Sequence, residues 1–183
     1  MTGVLLDGPT PLLRVPPGEG RATSRTLFLS GDGKRGAPLG DPPPYGRMVR
    51  IEGFVLRRGT LEMLVASGPP MPVAAEPVAP QPAEALGRWR VTGEICDGKC
   101  AAGAMRPGTG LSHRACAVLC LDGDIPAVFV AASPVTGQAF LLLADREGRA
   151  PMPAFRHLVG HRVTLEGEVE RRGDLLVFRA EEP

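Results

Sequence analysis

The clearest hydrophobic pattern in this chain lies near its C-terminus, in the segment VTLEGEVE. Apolar Val163, Leu165 and Val169 alternate there with polar residues. Because successive side chains of a strand point to opposite faces, this alternation predicts a half-buried β-strand. Similar patterns, separated by turn residues, predict five strands in the C-terminal half: Trp89–Ile95, Ala127–Ala131, Ala139–Leu143, Arg162–Glu170 and Leu175–Ala180.

An internal repeat extends this pattern to the N-terminal half. The segment RMVRIEGFVLRRGTLEMLVA (47–66) aligns without gaps with HRVTLEGEVERRGDLLVFRA (161–180). Two shorter matches, GDGKRGAP with ADREGRAP and TGVLLDG with TGEICDG, lie upstream in the same order. Matches that keep their order along the chain indicate a tandem duplication.

The predicted fold class is all-β, with two small OB-like barrels in tandem. The segment PAFRHLVGH predicts a short helix between the third and fourth strands, and that order of elements is typical of an OB barrel. A two-sheet sandwich is the alternative. A Pro/Ala-rich stretch without apolar periodicity predicts a linker. The predicted domains are a first barrel at 1–68, a linker at 69–87 and a second barrel at 88–183.

All four cysteines fall in one short stretch of the second copy, CDGKCAAGAMRPGTGLSHRACAVLC. This stretch belongs to an insertion, residues 96–125, in the loop after the first strand of that copy. The first copy contains no cysteine, so the barrel does not need one in order to fold. The insertion is therefore predicted to be an added functional feature that includes a short helix.

The spacing within the insertion predicts a metal site. His113, Cys116 and Cys120 are spaced i, i+3 and i+7, which places them on one face of a helix, and Cys100 lies in the preceding glycine-rich segment. Three thiolates and one imidazole are a standard ligand set for Zn²⁺, and such soft ligands also accept iron or copper. Cys96, which ends the first strand facing the insertion, is a fifth candidate ligand.

Two other interpretations of the cysteines remain open. An even number of cysteines also suits disulfides, which would make the protein a disulfide-stapled extracytoplasmic binding module. Iron or copper at the same ligands would instead suit an electron-transfer subunit of a respiratory oxidoreductase complex. No catalytic residue is predicted, because neither an oxyanion hole nor a third triad member accompanies His113. The chain is therefore expected to be a non-enzymatic interaction module.

Composition and charge argue against several other functions. The net charge is +1 and aromatic residues make up 4% of the chain, so nucleic-acid binding is not expected. The segment GDGKRG lacks the length and the Lys-Ser/Thr ending of a P-loop and is predicted to be a turn. The arginine pairs Arg57–Arg58 and Arg171–Arg172 are predicted to be solvated turn residues. No apolar run is long enough for a transmembrane helix, and the first residues do not have the pattern of a signal peptide.

The stretch VTGEICDGKCAAGAMRPGTGLSHRACAVLCLDGDIPAVFV resembles a group of poorly characterised bacterial OB-like proteins. Their pattern is Gly-Glu, two apolar residues and Asp, then Cys, a glycine-rich stretch and His-x-x-Cys-Ala-x-x-Cys. The resemblance marks Cys100, His113, Cys116 and Cys120 as the site, whereas Cys96 falls on an apolar position. Members are usually exported or membrane-anchored, which implies a periplasmic location and protein partners such as membrane-complex subunits. Because the first residues do not have the pattern of a signal peptide, the alternative expectation is a cytoplasmic protein.

Overall fold

The computed structural model describes residues 1–18, 22–75 and 82–182 and consists mostly of β-strands with one short α-helix, which confirms the predicted all-β class. The strands are β1 Thr2–Leu6, β2 Leu12–Val15, β3 Arg25–Ser30, β4 Met48–Arg50, β5 Gly53–Arg58, β6 Leu61–Ala66, β7 Met71–Pro72, β8 Glu84–Asp97, β9 Ala127–Val135, β10 Gln138–Ala144, β11 Arg162–Arg172 and β12 Leu175–Ala180. The helix is α1, Arg114–Asp122.

The second half forms a closed barrel with the strand order β10-β12-β11-β8-β9. All neighbouring strands are antiparallel except β10 and β12, which run parallel with Leu142 opposite Val177. The strand β11 pairs with both β8 and β12, and its residues Leu165 and Val169 are buried in the barrel core, as their alternation predicts. The helix predicted in PAFRHLVGH is present as a single 3₁₀ turn, Arg156–Leu158, between β10 and β11.

The first half forms a seven-stranded sheet with the order β5-β6-β3-β2-β1-β4-β7. The sequence predicts one continuous strand where β4 and β5 occur, but the chain breaks between them at Ile51 and Glu52. The strand β4 pairs with β1, whereas β5 pairs with β6 at the opposite edge. Gly53 begins β5 with a φ of +153°, and a Cβ there would overlap the carbonyl oxygen of Val65. This glycine permits a close approach of two backbones that other residues would prevent.

Parts of the predicted linker belong to strands. Met71–Pro72 form β7, which pairs with β4, and β8 begins at Glu84. The barrel strand extends into the Pro/Ala-rich stretch because the long β11 pairs with it as far as Glu84. Residues 76–81 of the predicted linker lie outside the described residues.

The two halves pack against each other through a shared apolar cluster. Main-chain and side-chain hydrogen bonds also cross between them: the Thr26 N–H donates to the Asp174 carboxylate at 2.9 Å, and Arg14 donates to the Arg172 carbonyl at 3.2 Å. Within the part of the chain that the structure describes, no helix is long and apolar enough to span a membrane. The buried members of the shared cluster are Leu12, Phe28, Leu61, Met63, Val65, Cys96, Ala101, Ala102, Val128, Leu142, Ala144, Leu175 and Val177.

Candidate metal site

The insertion between β8 and β9 folds into two short helical turns and α1. A π-helical turn covers Cys100–Ala104 and is interrupted at Gly103, whose φ of +121° favours glycine. A 3₁₀ turn over Leu111–His113 then leads directly into α1. The helix predicted from the His113, Cys116 and Cys120 spacing is therefore present. Its buried residues Ala117 and Leu121 pack in the barrel core, and its buried Cys120 packs with Cys100.

Three of the four cysteine thiols converge. The Sγ atoms of Cys100, Cys116 and Cys120 all lie within 4.8 Å of one another. Tetrahedral zinc with bonds of about 2.3 Å places its sulfur ligands about 3.8 Å apart, so this triangle is close to the size that one ion needs. Cys100 and Cys120 are buried and Cys116 is half-buried, and none of the cysteines forms a disulfide.

A second group of ligand atoms adjoins the first and shares Cys100. Atoms of Asp97, Cys100 and His113 also lie within 4.8 Å of one another. One Asp97 oxygen accepts a hydrogen bond from the Cys100 N–H at 2.8 Å, and the other lies 3.0 Å from His113 Nε2. The side chains of Asp97 and His113 are 0% and 1% exposed. The remaining ring nitrogen, Nδ1, is buried and has no hydrogen-bond partner among the described residues.

Cys96 belongs to neither group. Its thiol donates a hydrogen bond to Glu94 at 3.0 Å, and it packs with Ala101 and Ala102 in the cluster between the halves. Burial, together with the Glu94 carboxylate, raises the pKa of Cys96. A thiol held protonated in an apolar cluster is a poor metal ligand, because the thiolate is the ligating form. Of the five residues predicted as ligands, Cys96 belongs to neither group, and His113 belongs to the group with Asp97 and Cys100 but not to that of the three thiols.

Lys34 contacts the thiols from the other half of the molecule. Its ammonium nitrogen lies 2.7 Å from Cys116 Sγ and 3.6 Å from Cys120 Sγ. Hydrogen bonding to Cys116 raises the pKa of Lys34, so the ammonium keeps its charge. The cluster of three thiols therefore has a cation beside Cys116, its half-buried member.

The loop that carries Lys34 is fixed against the insertion by further contacts. Lys99 donates hydrogen bonds to the carbonyl oxygens of Gly31 at 2.7 Å and Gly33 at 2.9 Å. The Gly36 N–H donates to the carbonyl oxygen of Gly123 at 2.6 Å, immediately after α1. The GDGKRG segment is thus a turn, as predicted, and it also completes the surroundings of the thiols.

The thiols polarise one another. Hydrogen bonding from Cys100 lowers the pKa of Cys120 to about 7, and Lys34 contributes in the same direction against the effects of burial and Asp97. The same hydrogen bond, together with burial and the nearby Asp97 carboxylate, raises the pKa of Cys100. The lowered pKa favours the thiolate of Cys120, which is the form that binds metals.

Asp97 and Lys34 are the site residues that sequence reasoning missed. Asp97 ends the strand that leads into the cysteine insertion, so its place in the motif was a usable signal. Lys34 is separated from Cys116 by 82 residues and lies in the other half. No local sequence pattern links Lys34 with Cys116.

Comparison with known proteins finds no relatives for this chain. No protein-family model matches it, and no curated protein or solved structure matches it either. The chemistry of the site itself is therefore the basis for a functional assignment.

Proposed function

We propose that this protein binds one zinc ion through Cys100, Cys116, Cys120 and His113. The observation that carries the proposal is the convergence of three Sγ atoms within 4.8 Å of one another, in an insertion that has no counterpart in the first half. Unligated thiols gain little from such proximity, because S–H groups are weak hydrogen-bond donors and acceptors. A single ion with an affinity for thiolate accounts for the arrangement.

His113 is the proposed fourth ligand, and Asp97 is the residue that orients it. A ligating histidine commonly donates its second ring N–H to a carboxylate, which fixes the tautomer and the ring orientation. Asp97, 3.0 Å from Nε2, is placed for that role. Nδ1 is then left with a lone pair, and it has no partner among the described residues. A buried nitrogen without a partner is unfavourable, so coordination to a metal would stabilise it.

Lys34 balances the charge of the proposed complex. Three thiolates, a neutral imidazole and Zn²⁺ together carry one negative charge, and a partly buried negative charge needs a partner. The Lys34 ammonium, 2.7 Å from Cys116 Sγ, supplies it. Since Lys34 belongs to the first half, the metal site would also tie that half to the insertion.

We assign the complex a binding role rather than a catalytic one. The four proposed ligands fill the tetrahedral shell of zinc, which is typical of structural sites, whereas catalytic zinc keeps an open position for water. Metal would hold the glycine-rich segment that carries Cys100 against α1. The ordered insertion would then be the surface offered to a protein partner. Following the family resemblance, we propose a membrane-associated complex outside the cytoplasm as the setting.

We further propose that the two halves are OB-like barrels that arose by duplication. In support, strands β8 to β12 pair in the cyclic order first-second-third-fifth-fourth, with the third and fifth parallel. The first half has the same order if β4 and β5 are counted as one broken strand, and there β3 and β6 are the parallel pair. The Arg-Arg-Gly turns join equivalent hairpins in both halves.

Cobalt substitution of the full chain tests the metal site. Single variants Cys100→Ser, Cys116→Ser and Cys120→Ser should each lose the intense thiolate-to-cobalt absorption or bind cobalt in a different geometry. His113→Asn should keep the thiolate bands while altering the ligand-field bands, because only the nitrogen ligand is removed. The matched control is Cys96→Ala, which removes the one thiol outside the triangle and should leave the cobalt spectrum unchanged.

The same preparations separate zinc from its alternatives. If the purified protein is coloured and has a redox-active signal that Cys116→Ser abolishes, the bound metal is iron or copper. The protein would then be an electron-transfer subunit. A protein without metal and with two disulfides would make it a stapled binding module. If the three cysteine variants and Cys96→Ala all retain the same cobalt spectrum, the proposed ligand set is wrong.

A further inference from the structure

A second candidate site lies where the insertion meets the first half of the chain. A cleft of about 420 Å³ opens between the β5–β6 turn of the first half and the loop that comes after Cys100. Arg57 and Arg58 line it from the turn, and Gly103, Arg106 and Thr109 line it from the insertion. None of these residues is a proposed metal ligand, so binding in the cleft can be measured separately from metal binding.

The lining of this cleft is strongly positive. It contains three arginines and no carboxylate. Arg57 has one carboxylate partner outside the lining, Glu62, at 3.1 Å. Within the described part of the chain, the Arg106 guanidinium and the Thr109 hydroxyl have no hydrogen-bond or ion-pair partner. The cleft therefore presents donors and positive charge that the protein itself does not use.

Arg58 is held in place without being neutralised. Its Nη1 lies 3.4 Å from the carbonyl oxygen of Ala101, and its guanidinium carbon lies 5.8 Å from the centre of the Phe140 ring. Stacking over an aromatic ring orients a guanidinium and leaves its edge free to donate. A donor fixed in advance loses less conformational entropy when it binds a ligand.

The equivalent turn of the second half shows what a structural arginine pair looks like in this protein. Arg171 pairs with Glu84 at 3.2 Å, and Arg172 pairs with Glu170 at 2.5 Å. Both cations of that turn have a carboxylate of their own. The two turns share the sequence Arg-Arg-Gly, but the first lies beside the insertion and its Arg106, whereas the second contacts Arg14 of the first half through the Arg172 carbonyl oxygen. Arg57 and Arg58 are exposed at their turn, as predicted, whereas Arg171 and Arg172 are half-buried.

We propose that this cleft binds a phosphate group, either of inorganic phosphate or of a small phosphomonoester. Guanidinium groups match the geometry of phosphate oxygens and bind them with paired hydrogen bonds. Arg58 and Arg106, together with the partly neutralised Arg57, suit the two negative charges of a phosphate near neutral pH. The size of the cleft suits a small molecule, and the chain has too few aromatic residues for a stacking platform along a nucleic acid.

Calorimetry and amide NMR on the full chain test this proposal. Inorganic phosphate and glycerol phosphate are titrated separately at about 10 mM ionic strength, where charges act over about 30 Å. Saturable binding is expected for at least one of them, with the largest amide shifts at Gly103 and Thr109. Tighter binding of inorganic phosphate identifies the free ion as the ligand, and tighter binding of glycerol phosphate identifies a phosphomonoester. Succinate should bind more weakly than either.

Matched arginine variants separate a site from general electrostatic attraction. Arg106→Gln should weaken phosphate binding roughly tenfold or more, because hydrogen bonds to a charged ligand are lost. Arg171→Gln removes the same charge from the other half and should leave binding unchanged. Arg106 is exposed and makes no ion pair with the described residues, so equal melting temperatures are expected for that variant and the native chain. Equal weakening by both variants, no saturable binding of either phosphate, or succinate binding as tightly as phosphate would overturn the proposal.

Discussion

The two halves of this molecule begin with matching strands but differ in the segments that connect those strands to the next ones. After β1, residues 7–11 lead directly to β2, whereas after β8, residues 98–126 form the insertion with the thiols. Asp7 is exposed and only caps the neighbouring Gly8 N–H, but its counterpart Asp97 is fully buried and holds Cys100 and His113. The same position in the repeat thus holds an exposed turn residue in the first half and a buried residue that contacts two candidate ligands in the second.

Of the paired substitutions, Asp97→Ala and Asp7→Ala should differ most in their effect on the free energy of unfolding. Asp97→Ala leaves a buried N–H and a buried imidazole without their acceptor, which should destabilise the protein by about 3 kcal/mol. A loss of that size lowers the melting temperature of a chain of this length by roughly 10 °C. Thermal denaturation of the reduced protein measures it.

The matched control is Asp7→Ala, which removes an exposed carboxylate. Its effect should stay within about 0.5 kcal/mol, as is usual for surface substitutions. Similar losses of stability for Asp97→Ala and Asp7→Ala would mean that burial at the insertion does not distinguish the two positions.

The substitution Gly123→Ala should disturb the contact between the Lys34 loop and the end of α1. A Cβ at this position would overlap the Lys34 carbonyl oxygen. Because this neighbour is backbone, the loop has to move, and the expected cost is about 2 kcal/mol. Chemical denaturation measures this cost.

Gly68→Ala provides the comparison for Gly123→Ala, since a Cβ at Gly68 meets no atom within 4 Å. It should leave the free energy of unfolding nearly unchanged. If Gly123→Ala is equally harmless, the loop does not sit against the insertion as described.

Removing the Lys34 charge should give the smallest of these effects. Lys34→Met should weaken zinc binding by about fivefold, because a largely exposed ion pair contributes only modestly. Competition with a coloured chelator at fixed pH measures this change. Arg35→Met removes the neighbouring cation, which has no such contact with the thiols, and should not alter zinc affinity. Equal zinc affinities for the native protein and Lys34→Met would show that Lys34 does not contribute to the metal site.

Local patterns in the sequence predict the elements of this protein better than the contacts between them. Alternation identified β11 through Leu165 and Val169, and helical spacing identified the α1 stripe with Cys116 and Cys120. These signals depend on neighbours within a few residues. Alternation could not show that the first half breaks its strand before Gly53, since the equivalent Gly167 makes the same close approach to its partner strand within a continuous β11.

The composition of the chain misled where the partner strand decided the outcome. Residues near Glu84 look like linker, yet the length of β11 draws them into the barrel. Lys34 escaped notice for a similar reason, since its contact with Cys116 exists only where the GDGKRG loop meets the insertion. Residues brought together by tertiary packing have no period in the sequence.

Native mass spectrometry of the freshly purified chain, without added reductant, tests the central claim most directly, because it reports bound metal and disulfides together. The account predicts a single species whose added mass is that of one zinc ion, lost in each of Cys100→Ser, Cys116→Ser and Cys120→Ser and kept in Cys96→Ala. A folded chain that carries no metal, even after incubation with zinc, would contradict it.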